Sequence, residues 1–213
     1  MRRIQVVYAS RHGGTAGIAR KIGDVLYDSG AEVEVVDAET HPDPRGFDAY
    51  VIGSGVYMGS WLKPGIEYLE DNQLQLAARP VWLFSSGPLP APSIPRRSID
   101  PIENSLGPLD GPGSGGRKRV ESLANAIRVQ GHKVFDGAYD PDAPAQNLAE
   151  RIVKHIPAIK AVLPAGDFRP WPEIEEWARQ IAREVVGVAG FEPTTSYSRS
   201  KHSTKLSYTP TGG

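Results

Sequence analysis

The 213-residue sequence contains no cysteine. That absence excludes disulfides, thiolate metal sites, iron–sulfur ligation and a cysteine nucleophile, so any redox chemistry must come from a bound cofactor. An excess of one charge is missing too. With 24 basic and 25 acidic residues the net charge is -1, which gives no electrostatic footprint for nucleic acid or an anionic membrane. No apolar run approaches a membrane span. Met1-Arg2-Arg3 is followed by only a short apolar stretch before Arg11 and His12, which is not the apolar centre of a signal peptide. A soluble, cytoplasmic protein is expected. The histidines at 12, 41, 132, 155 and 202 lack metal spacing, and no metal site is expected.

Several catalytic signatures are absent as well. No Gly-x4-Gly-Lys-Ser/Thr occurs, and Gly13, Gly14 and Gly17 do not fit Gly-x-Gly-x-x-Gly, so neither a P-loop nor a dinucleotide fingerprint is present. Gly53-Ser54-Gly55 lacks the outer spacing of a nucleophile elbow, which argues against an α/β-hydrolase. A phosphotransfer receiver would need acidic residues where this chain has Ser10, Ser54 and Ser85.

What is present begins at Ile4 to Tyr8, an apolar run leading into Ser10-Arg11-His12-Gly13-Gly14-Thr15. Helical spacing follows at Ile18, Ile22, Val25 and Leu26. A strand therefore feeds a hydroxyl- and glycine-rich loop that exits into a helix N-terminus. Such a terminus has unpaired N–H groups and roughly half a positive charge, and it suits a phosphate. Ser10 and Thr15 would add hydroxyl donors. Arg11 is either a charged contact to the phosphate or a surface residue, and His12 either donates when protonated or is solvated.

The pattern repeats along the chain. Ala31 to Val36 reads as a second strand, and Thr40 to Asp48, with Pro42 and Pro44, as a connection. Ala49 to Gly53 is a third strand, followed by a loop from Ser54 to Trp61 and a helical stripe at Leu62, Ile66 and Leu69. Val81 to Phe84 is a fourth strand ending in Ser85-Ser86-Gly87. Pro88 to Gly116 has no sustained period and reads as a long Pro/Gly-rich loop. Arg117 to Gln130 is a helix, His132 to Phe135 a fifth strand, and Leu148, Ile152, Val153 and Ile156 mark another helix. Pro170-Trp171-Pro172 opens a docking helix, placed at 172–186, whose Ile174, Trp177, Ala178, Ile181 and Val185 form one apolar face. Five strands alternating with helices imply a doubly wound α/β domain with a parallel sheet. The domain is expected over 1–186.

The tail, 187–213, has no apolar period and reads as disordered. Its Gly190-Phe191-Glu192-Pro193 is compatible with translation through the antisense strand of a tRNA gene.

Ser-x-x-Gly-x-Thr at positions 10, 13 and 15 resembles the FMN-phosphate loop of the flavodoxin family. The wider Ser10 to Thr15 hexapeptide is similar to the loop of the flavodoxin-like, menaquinone-dependent protoporphyrinogen oxidases. The phrases Val134 to Gly137 and Gly166 to Trp171 resemble flavodoxin-domain proteins of high-GC bacteria, which extends the resemblance over nearly all of residues 3 to 186.

The resemblance implies strand order 2-1-3-4-5 and FMN at the carboxyl ends of the first, third and fourth strands. The implied cofactor residues are Ser10, Arg11, His12, Gly13, Gly14 and Thr15 for the phosphate, then Ser54, Gly55, Val56, Tyr57, Met58 and Gly59, and Ser85, Ser86 and Gly87 for the ring. Tyr57 is the candidate to stack on the ring, whereas Trp61 is read as a core residue. The implied activity is electron transfer through bound flavin, by a carrier or by an oxidase or reductase of the protoporphyrinogen oxidase type. The other party would be a redox protein or a small donor or acceptor such as NAD(P)H or a quinone. The alternative is a protein of the same fold without flavin, acting through protein contacts.

Overall fold

The computed structural model describes residues 1–57, 59–87, 114–139 and 166–187. β1 (Arg3–Ala9) is an interior strand of a sheet, with β2 (Glu32–Asp37) paired parallel on one side and β3 (Ala49–Tyr57) on the other. A short β4 (Ser60–Trp61) folds back antiparallel on β3, and β5 (Val81–Ser86) and β6 (Gly131–Phe135) continue the parallel sheet. The order β2-β1-β3-β5-β6 is the expected 2-1-3-4-5 once the hairpin return β4 is set aside.

Burial explains which residues became strands. Ile4 and Val6 of β1 enter one core and Val7 and Ala9 the other, so the strand is apolar on both faces. Edge strand β2 instead alternates exposed Glu32 and Glu34 with half-buried Val33 and Val35, and charge along an edge discourages pairing with another chain. α1 (Gly14–Asp28) and α5 (Trp171–Val186) cover one face. α2 (Lys63–Asp71), α3 (Gln73–Ala77) and α4 (Ser114–Ile127) cover the other.

The expected docking helix is present and starts at Trp171. Its Ile174, Ala178 and Ile181 are buried, and Trp177 meets Phe135 edge-on with ring centroids 5.6 Å apart. Ion pairs from Glu173 to Lys133 (2.7 Å) and from Glu175 to Lys21 (3.5 Å) fasten its first turns.

Two expectations need revision. The stretch from Ser54 is a loop only at its tip, because β3 continues to Tyr57 and turns back through Gly59 into β4. Small residues conceal a strand from an apolar pattern but do not stop its backbone from pairing, and Ser54 and Gly55 stay in register with Ser85 and Ser86. The fourth helix begins at Ser114, three residues before Arg117. An antiparallel pair, β7 (Ala138–Tyr139) with β8 (Gly166–Asp167), was not anticipated. The helix expected around Leu148 to Ile156, most of the Pro88 to Gly116 stretch, the tail after Gly187, and Met58 lie outside the described residues. Among the described residues no helix is long and apolar enough to cross a membrane.

Candidate functional site

The candidate site forms where β1 hands over to α1. Gly13 is the N-cap, at φ 79°, a backbone conformation that a side chain would strain, and no side chain caps the helix. The first N–H groups of α1 therefore have no partner within the helix and none from a capping side chain. No acidic residue occupies the first turn, so the positive end of the helix dipole is not neutralised by its own sequence. Thr15 is only 4% exposed. Ser10 Oγ is buried and has no hydrogen-bond partner among the described residues. A buried hydroxyl without a partner is costly, and an acceptor arriving from outside the chain would remove that cost.

Parallel pairing of Ala9 with Ser54 brings the end of β3 alongside this loop. A Cβ on Gly55 would lie 3.0 Å from the Tyr57 ring and 3.2 Å from Thr15 Oγ1, so the tyrosine folds over its own strand next to the threonine. The Arg11 guanidinium stands 4.5 Å from the Tyr57 ring centroid, and the His12 ring is tilted against it at 6.3 Å. Arg11, His12, Thr15, Gly55 and Tyr57 are thus one cluster. Val56 is half-buried beside the hairpin, and Gly59 turns the chain at φ 77°.

The serines divide by face. Ser54 is fully buried, and its Oγ accepts the Leu62 N–H (3.0 Å) and donates to the Gly55 carbonyl (3.0 Å), which secures the entry to α2. Ser85 Oγ accepts from the Trp61 indole Nε1–H at 2.8 Å and lies 2.9 Å from His132 Nε2. Indole can only donate, so Ser85 Oγ accepts from Trp61, while the direction of the bond to His132 Nε2 is set by the tautomer of the neutral ring. Burial pushes the His132 pKa down to about 4, which agrees with that state. The hydroxyls of Ser54 and Ser85 are therefore committed to the fold, and Trp61, 3% exposed, is the core residue it was read to be.

Ser86 and Gly87 end β5 differently. Gly87 N–H donates to the Phe135 carbonyl (3.0 Å), and a Cβ on Gly137 would sit 3.5 Å from Gly87 Cα and 3.8 Å from Ser86 Oγ. The tips of β3, β5 and β6 therefore converge, with a Cβ on Gly87 reaching within 3.9 Å of the Val56 carbonyl.

Sequence reasoning missed two contributors. Ala138 lies over Gly14, where a Cβ would meet its backbone N and O at 3.7 and 3.9 Å. Arg169 reaches α1, with Nη1 donating to the Gly14 carbonyl at 3.3 Å. The Gly166 to Trp171 phrase was visible as a string, but the β7–β8 pairing that carries it to the β1–α1 end of the sheet was not.

Residues 5–105 match the family model described as a flavodoxin domain. No curated protein matches the sequence. Among solved structures, rubredoxin oxygen:oxidoreductase from the anaerobe Desulfovibrio gigas is similar at a TM-score of 0.51 and 12% identity; the match covers 89% of this chain and 37% of that one. A flavodoxin from Pseudomonas aeruginosa, as a cysteine-to-serine variant, gives 0.48 and 16%, covering 87% and 99%. The two-electron reduced flavodoxin of Megasphaera elsdenii gives 0.48 and 16%, covering 84% and 98%. The fold is flavodoxin-like, an α/β parallel sheet with a C-terminal helix.

Proposed function

We propose that the chain binds FMN across the carboxyl ends of β1, β3 and β5 and passes electrons through it. The observation that carries this reading is the buried, unpartnered Ser10 Oγ beside the uncapped start of α1. These residues fit a phosphate. The N–H groups of Gly14, Thr15 and Ala16 and the hydroxyls of Ser10 and Thr15 would donate to its oxygens, and the helix dipole favours its charge. Gly55, Val56, Tyr57, Gly59, Ser86 and Gly87 would flank the ring, mainly through backbone groups, since Ser54 and Ser85 use their hydroxyls internally. Tyr57 would have an aromatic face to offer. The Arg11 guanidinium adds a cation beside the Tyr57 ring, and the His12 ring packs against the same tyrosine.

When bound, FMN supplies the one- and two-electron chemistry, and the protein supplies binding, orientation and local polarity. The flavodoxin-domain match supports this assignment, and the Ser10 to Thr15 hexapeptide favours an oxidase or reductase of the protoporphyrinogen oxidase type. The other redox party would be a protein, NAD(P)H or a quinone, met in the cytoplasm, with residues 1–186 as the working domain.

The test is an absorbance spectrum of the purified chain after FMN addition and removal of excess, beside a Ser10→Ala, Thr15→Ala double variant. Flavin retained by the parent and lost by the folded variant is the expected result. A folded parent that retains none overturns the reading.

A further inference from the structure

The first turn of α1 is held by a residue distant in sequence. Arg169 and Asp167 form a closed fork, with Nε to Oδ1 at 2.7 Å and Nη2 to Oδ2 at 2.6 Å, and the Arg169 backbone N–H also donates to Oδ1 at 3.1 Å. That pairing holds the Asp167 carboxyl below the usual carboxylate range. The guanidinium lies 4.4 Å above the Trp171 ring, leaving Nη1 for the Gly14 carbonyl. The Arg169 side chain is only 18% exposed. The strand pair beneath it is fixed in turn, because Phe168 N–H donates to the Gly137 carbonyl and Trp171 opens the docked α5. Gly17 completes the seat, since a Cβ there would overlap the guanidinium.

Electrostatics makes this placement unusual. A cation beside the N-terminus of a helix faces the positive end of the dipole, and nothing acidic in the first turn of α1 offsets it. Asp167 compensates the charge, and the fork fixes the direction in which Nη1 points. The bonded carbonyl belongs to Gly14, which by helix geometry also accepts the Ile18 N–H. Orienting that peptide orients the turn whose first N–H groups have no partner inside the helix.

Resting on the FMN reading, we infer that Arg169 is a positioning residue for the flavin phosphate: it clamps segment 166–171 to the first turn of α1 and makes the site distinguish FMN from riboflavin. The clamp acts on the phosphate end, so riboflavin, which lacks that group, should be nearly indifferent to it.

The experiment uses the full chain as parent, Arg169→Ala, Arg169→Lys and Gly17→Ala. FMN and riboflavin affinities are read from flavin fluorescence, and amide exchange at Ile18 is read without flavin. Arg169→Ala should weaken FMN roughly tenfold, as loss of a charge-assisted hydrogen bond does, and leave riboflavin within about twofold. The Arg169→Lys variant should not restore FMN binding, because an ammonium cannot form the fork. Exchange at Ile18 should quicken in both Arg169 variants. Gly17→Ala, which displaces the guanidinium without removing it, should reproduce the loss in the parent and add none to Arg169→Ala.

Equal weakening of both flavins, rescue by lysine, or unchanged exchange at Ile18 overturns the inference. A parent that binds neither flavin overturns the FMN reading and the discrimination with it. In that case the exchange rates still decide whether the clamp exists.

Discussion

The two faces of the sheet are built in different ways. Against α1 and α5 the packing is apolar: Ile4, Val6, Val51, Phe84 and Phe135 meet Ile18, Ile22, Leu26, Ile174 and Ile181. Beneath α2, α3 and α4 the apolar core is interrupted by hydrogen-bonded polar groups. There Gln5 takes the Tyr68 hydroxyl and reaches the Asp43 carbonyl, Tyr50 donates to the Pro44 carbonyl, and Ser85 joins Trp61 to His132. Apolar contact is non-directional and cares chiefly about volume, whereas hydrogen bonds fix register and leave a large penalty when one partner is removed. The apolar face carries the helix whose N-terminus makes the candidate phosphate site. The polar face fixes the hairpin and the strand ends that would flank the ring.

The apolar face is most sensitive at Phe84. Its ring lies flat over Gly53, where a Cβ would overlap it, and it stands 6.3 Å from the Phe135 ring and 6.4 Å from Trp177. Phe84→Ala should cost about 3–5 kcal/mol in urea unfolding, the range for a large aromatic removed from a packed core. That cost should be the same at pH 7 and pH 5, since no titrating group participates in it. A loss below ~1 kcal/mol would mean that this face collapses easily, and the proposed contrast would fail.

On the polar face the corresponding probe is pH. His132 is neutral in the fold, with its pKa lowered from 6.5 to about 4 by burial, so the unfolded chain takes up a proton first as pH falls. Stability contributed by this group is therefore complete above about pH 6.5, declines below it, and stops changing below about pH 4. The whole shift corresponds to roughly 3 kcal/mol. Asp48 and Asp167 have lowered pKa values and lose their contributions from the ordinary value of 3.8 downward, a lower window. His132→Gln should therefore flatten the unfolding free energy between pH 6.5 and about pH 5 and leave the acid limb in place. An unchanged slope in that variant would assign the decline to other groups.

Legibility in the sequence followed the same division. Apolar strands and helical stripes are direct signatures of volume filling, so Ile4 to Tyr8, Val81 to Phe84 and the Ile174 to Val185 face were readable. The last four residues of β3, Ser54 to Tyr57, were not, because their pairing is a backbone property and their side chains are small or mixed. Ser54 and Ser85 looked like ligand residues by position at strand ends, yet alternation turns both hydroxyls toward the α2 and α4 side. The passage from β1 through Ser10 to Thr15 into α1 was readable because its signals are local: hydroxyl, glycine and helix start lie within six residues. Arg169 was not, since 155 residues separate it from Gly14 and no spacing rule spans that distance.

The finest probe is the pair formed by Gln5 and Tyr68. The Tyr68 hydroxyl donates to Gln5 Oε1 at 2.7 Å, and burial raises its pKa, so it remains a donor throughout the neutral range. Tyr68→Phe removes the donor and leaves a buried amide oxygen, at a cost of about 1–2 kcal/mol without pH dependence from about pH 5 to 8. Gln5→Leu leaves the phenol unpaired for a similar reason. Replacing both removes the two polar groups together, and the Asp43 carbonyl released by Gln5 belongs to a half-exposed connection that water can serve. The double variant should therefore cost less than the sum of the singles by ~1 kcal/mol in a double-mutant cycle. Additivity within about 0.3–0.5 kcal/mol would show that the two side chains do not act as a unit. The polar face would then behave energetically like the apolar one, with directional bonding adding register but no mutual dependence.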